Sequence, residues 1–100
     1  MYVYAYTLNY KTGVIREYKG KLIQHYRGRL HLDEYDDNDE RTGKYLTGLS
    51  LAPETVRGAS IWFTEPNMDK AIEAFRKSGR KMMSEYGQKQ IHSKMWAEII

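Results

Sequence analysis

The chain has 100 residues, a net charge of +3, 41% hydrophobic residues and no cysteine. That length holds one hydrophobic core, so a single domain is expected. The missing cysteine excludes disulfides, thiolate metal sites and thiol catalysis, and fits a reducing, cytoplasmic setting.

Tyr2, Tyr4, Tyr6 and Leu8 alternate with Val3, Ala5, Thr7 and Asn9. A period of two with both faces apolar predicts an interior strand, and neither a basic leader nor a long apolar run marks a signal peptide. Residues 9–13 supply turn chemistry, and residues 14–19 predict the returning strand. Gly20-Lys21 reads as a further turn, residues 22–27 as a third strand, and Gly28 as a break before residues 29–33. A meander of three or four antiparallel strands results.

Charge is segregated along the chain. Residues 1–32 carry six bases and one acid, whereas residues 33–40 hold six acids in eight positions: Asp33, Glu34, Asp36, Asp37, Asp39 and Glu40. Residues 33–43 are read as an acidic loop that buries nothing, either a solvated connection or a patch facing a basic partner. A calcium loop is excluded in both registers. From Asp37 the glycine position is Thr42, and from Asp33 loop position 3, a ligand position, is Tyr35.

Residues 44–47 predict a short strand, and residues 48–57, with Pro53, a connection. Gly43-Lys44 is no phosphate loop, because Asn38 stands at the leading glycine and Tyr45 at the magnesium-binding hydroxyl. The segment around Ser50 lacks the last glycine of a nucleophile elbow, and Pro53 follows where a helix should start. His25, His31 and His92 have no partner ligand at metal spacing. Neither metal nor cofactor is expected, and enzyme is the weakest class.

Residues 59–64 predict a second strong strand, with Ile61 and Phe63 on one face and Trp62 on the other. Thr64 then reads as a helix cap and Pro66 as a first-turn residue. Met68, Ile72, Phe75, Gly79, Met82 and Tyr86 form one stripe, so the helix is expected to run through Gly79 or bend there or at Gly87. A second helix is predicted over residues 88–99. Nothing approaches the length of a membrane span.

The expected class is α+β, an antiparallel sheet of four to five strands packed by a C-terminal helix. Two further surfaces stand out. Arg76, Lys77, Arg80 and Lys81 predict a basic patch on one helix face. Tyr10, Arg16, Tyr18, Tyr26 and Arg27 interleave rings with cations, a composition that stacks bases and holds phosphates.

The Tyr-rich opening strand, the acidic insert and Ile61-Trp-Phe-Thr-Glu-Pro66 leading into a basic helix resemble small accessory proteins of bacteriophages and mobile elements. Anti-CRISPR and other anti-defence inhibitors are among them. The resemblance implies a stoichiometric inhibitor or adaptor acting in the host-cell cytoplasm on a protein partner, a host nucleoprotein complex included. It carries over no site residues. Many such inhibitors are acidic mimics of nucleic acid, whereas only residues 33–40 of this net-basic chain are dense enough in acid to mimic a phosphate run. The alternative reading is a nucleic-acid or signalling-nucleotide binding module that uses the Tyr/Arg sheet.

Overall fold

The structure, a computed structural model, describes residues 1–24, 28–80 and 82. Its elements are β1 (Val3–Leu8), β2 (Ile15–Gln24), β3 (Leu30–Tyr35), β4 (Arg41–Leu49), β5 (Ser60–Phe63) and α1 (Met68–Lys77). The strands form one antiparallel sheet in the order β4-β3-β2-β1-β5. With the helix, this is the α+β arrangement that the pattern of the sequence predicts.

β1 is hydrogen-bonded on both sides, which suits a strand with two apolar faces. The turn that follows is held by Asn9, whose side chain accepts hydrogen bonds from the backbone N–H groups of Lys11 (2.9 Å) and Thr12 (3.2 Å). Gly20 corrects the predicted second turn. β2 runs straight through it, and Gly20 pairs with Val3 on one side and Glu34 on the other. A Cβ there would lie 2.0 Å from the Asp33 carbonyl oxygen, so glycine serves close strand approach rather than a reversal.

The predicted acidic loop is also corrected. Its first three residues end β3, and Arg41 already opens β4, so only a tight turn separates the two strands. The β3–β4 ladder shifts register over the stretches that contain Gly43 and Gly48, both at positive φ.

The sheet buries both faces. On one, Tyr6, Leu8, Ile15, Ile61 and Phe63 pack against Ala71, Ile72 and Phe75 of α1, with Met68 and Met82 at the margin. On the other, Ala5, Leu30, Leu32, Leu49 and Trp62 form a second cluster. The edge strands β4 and β5 come into contact, so the sheet curls without closing. Trp62 fastens this curl: its Nε1–H donates to the Ser50 carbonyl (2.7 Å), and its own carbonyl accepts from the Glu54 N–H (2.8 Å).

α1 begins later than expected. Asn67, not Thr64, is the cap: its side chain accepts from the Lys70 N–H at 3.0 Å, and Pro66 precedes the helix. The helix ends at Lys77. Gly79 takes φ 76°, with its N–H donating to the Arg76 carbonyl (3.0 Å) and the Arg80 N–H to the Phe75 carbonyl (3.1 Å). That pair of bonds is a Schellman stop, which needs a residue at positive φ and finds it in glycine. Tyr86, Gly87 and the second helix predicted over residues 88–99 lie outside the described residues.

Candidate functional site

The six acids on the hairpin from β3 to β4 have different fates. Asp33 is 5% exposed, and its Oδ2 receives the Nε–H of Arg41 at 2.8 Å. The Asp33 charge holds the Arg41 guanidinium above its ordinary value. Arg41 in turn donates from Nη2 to the Tyr45 hydroxyl at 2.7 Å. A buried carboxylate thus fixes a cation, which fixes an exposed ring. The other Asp33 oxygen is buried and has no partner among the described residues. Asp33 therefore overturns the expectation that the acidic segment buries nothing.

Three more acids are engaged locally. Glu34 accepts from the Thr42 hydroxyl at 2.8 Å. Asp36 caps the turn by accepting from the backbone N–H groups of Asn38 (2.8 Å) and Glu40 (3.0 Å). Asp39 meets Lys19 at 2.7 Å; this bond holds the carboxyl below its usual range and the lysine above its own. Only Asp37 and Glu40 point exposed side chains outward without a side-chain partner among the described residues.

The hairpin borders two clefts that share Arg16 and Glu34. The larger, of about 410 Å³, is walled by Tyr4 and Tyr35 and lined by the carboxylates of Glu17, Glu34, Asp36 and Asp37. Two cations, Arg16 and Lys19, oppose those four anions. Tyr35 is braced by Tyr2, edge to face at 5.3 Å between centroids, and by the Lys21 ammonium 5.0 Å from its ring. The smaller cleft, of about 360 Å³, is lined by Arg16, Tyr18, Glu34, Lys44, Tyr45 and Leu46. Within it the Arg16 guanidinium lies 5.0 Å from the centre of the Tyr18 ring.

Of the basic patch expected on one helix face, α1 itself carries Arg76 and Lys77. Lys77 pairs with Glu73 at 2.9 Å, and Arg76 is exposed on the last turn. Arg80 lies beyond the Schellman stop and folds back instead. Its Nη2 donates to the Gly58 carbonyl at 2.9 Å, and its guanidinium stands 5.4 Å from the Tyr10 ring centre. Lys81 lies outside the described residues. So do Tyr26 and Arg27 of the Tyr/Arg set, and His25 and His92. Of that set, the fold brings Arg16 and Tyr18 together on β2, and places Tyr10 on the β1–β2 turn with Arg80.

Sequence reasoning missed Tyr4, Glu17, Lys19, Tyr35, Thr42, Lys44, Tyr45 and Leu46 as cleft residues. No local pattern marked them, because the residues of each cleft come together only through strand pairing. Among the described residues, no group of three or more His, Asp or Glu is placed to hold a metal ion, and no helix is long and apolar enough to cross a membrane. Compared with protein-family models, with curated proteins and with solved structures, the chain finds no match in any of the three.

Proposed function

We propose that this chain is a cytoplasmic, non-catalytic binding protein, a stoichiometric inhibitor or adaptor whose acidic hairpin seats on a basic surface of a protein partner. One observation carries the reading: the tip acids Asp37 and Glu40 are exposed beside a cleft in which four carboxylates face two cations. A lysine or arginine of the partner entering that cleft meets carboxylates for charge-assisted hydrogen bonds and the rings of Tyr4 and Tyr35 for cation–π contact. The bonds of Asp33, Asp36 and Asp39 hold the hairpin in shape before any partner arrives, which lowers the ordering cost of association. Proteins that handle nucleic acid present basic surfaces, so the hairpin is suited to occlude one, as the resemblance to anti-defence inhibitors implies.

The test is affinity capture from the cells that naturally express the chain, with the Asp37→Asn, Glu40→Gln double variant as control. Those two side chains hold nothing in the fold, so melting should be unchanged within ~0.5 kcal/mol. Retention of a protein at equal stoichiometry should fall about tenfold in the variant, chiefly through a slower on-rate. Equal capture by both forms would remove the hairpin from the interface.

A further inference from the structure

We infer that the end of the molecule where α1 stops is a second interaction surface, a basic pole that holds the phosphate backbone of duplex nucleic acid on Lys11, Arg57, Arg76 and Arg80. Three segments meet there: the turn after β1, the loop before β5 and the stop of α1. The Leu8 N–H donates to the Ala59 carbonyl at 2.8 Å, which ties the first two together. Arg80 ties in the third. It donates from Nη2 to the Gly58 carbonyl at 2.9 Å, and its guanidinium stands 5.4 Å from the Tyr10 ring centre. Lys11 follows Tyr10, Arg57 precedes Gly58, and Arg76 closes the last turn of α1, where its carbonyl accepts the Gly79 N–H. Lys11, Arg57 and Arg76 are exposed.

Charge gives the pole its sign. Residues 1–16, 55–64 and 74–82 contain no aspartate or glutamate. The acids that border these stretches are engaged or distant: Glu17 accepts from the Tyr6 hydroxyl, Glu54 meets Lys70, and Glu73 meets Lys77. Glu65 precedes α1, at the opposite end of the helix, and the acidic hairpin joins β3 to β4, at the far side of the strand order from β5. A protein interface is built around a desolvated apolar or aromatic centre. Of the large exposed hydrophobic residues, only Tyr10 belongs to the three segments, and its ring carries Arg80. A single strand would ask for free rings on which to stack its bases. A duplex backbone asks only for cations at intervals, and arginine adds paired donors that match a phosphate. Arg80 is held in advance by Gly58 and Tyr10, so less of its freedom is lost on binding. Contacts of this kind position a duplex without reading its sequence.

This inference does not rest on the protein-binding reading, and none of its four cations lines the larger cleft. The test is fluorescence anisotropy of a labelled DNA duplex of about 20 base pairs, titrated with the full chain at about 50 to about 200 mM salt. Four contacted phosphates predict a slope of about −3.6 in log K against log salt, and equal affinity for duplexes of unrelated sequence. Lys11→Ala and Arg57→Ala change exposed side chains, so each should melt as the parent does while flattening the slope by about one. The Asp37→Asn, Glu40→Gln variant should bind the duplex no more weakly than the parent, whatever its effect on capture of a protein. No binding at about 50 mM salt, or a slope unchanged in both Lys11→Ala and Arg57→Ala, would overturn the proposal. Tighter binding of a single strand, or a preference of about tenfold or more between two duplex sequences, would contradict recognition of the duplex backbone. Polyglutamate competing as well as the duplex at matched charge would show instead a surface for an acidic protein.

Discussion

The hydroxyl of Tyr6 joins three parts of the chain from inside the core. It donates to Glu17 Oε2 on β2 at 2.6 Å and accepts the Asn67 N–H at the start of α1 at 2.7 Å. Alternation along β1 placed Tyr6 on an apolar face, but its partners lie 11 and 61 residues away. No local pattern could name them. Tyr6→Phe keeps the ring and strands both partners, so chemical denaturation should show a loss of ~1–3 kcal/mol. Burial, reinforced by the Glu17 carboxylate, pushes the Tyr6 hydroxyl well above its ordinary value. The folded state therefore keeps a proton that the unfolded chain releases above about pH 10, and stability falls as pH rises through that range. Phenylalanine cannot contribute to that fall. The stability gap between parent and Tyr6→Phe should narrow from pH 8 to about pH 11; a gap that widens would contradict the sign.

Among elements, those with a clean period were legible and those shaped by one backbone detail were not. β1 and β5 emerged from alternation alone, and Ile61, Trp62 and Phe63 divide between the faces as their positions demand. The acids after Leu32 read as loop because charge density suggested solvent, yet Asp33 pairs with Lys21 and Tyr45 in the sheet, and Arg41 meets its buried carboxylate. The apolar stripe running through Gly79 could not reveal that a Schellman stop interrupts it. Within α1 the facing is testable. Phe75→Ala empties the buried contact with the sheet and should cost ~3–5 kcal/mol. Lys77→Ala loses only an exposed pair and should stay within ~0.5 kcal/mol. Comparable melting of the two variants would reverse the assigned facing. At Gly20, a methyl group meets the β3 backbone, which cannot yield as a flexible side chain does. Gly20→Ala should cost ~3 kcal/mol or more, whereas a near-neutral effect would show that β2 and β3 can part there.

Across the whole molecule, the segregated charges partly neutralise one another. Lys19 from the first basic segment reaches Asp39, and Arg41 reaches Asp33. The charge runs themselves were plain in the sequence. The clefts were not, because each draws on β2, β3 and the start of β4, and the larger adds Tyr4 of β1. Only the register of the curled sheet sets Arg16 and Glu34 between them. Around the larger cleft four carboxylates stand against two cations, and the proposed function rests on that excess. The most direct test is an NMR titration of the isotope-labelled chain with a short arginine-rich peptide. The account predicts shifts centred on Tyr4, Glu17, Glu34, Tyr35, Asp36, Asp37, Glu40 and Thr42, weakened by Asp37→Asn, Glu40→Gln and by raising salt from about 50 to about 300 mM. Shifts centred on α1, or none at all, would contradict it.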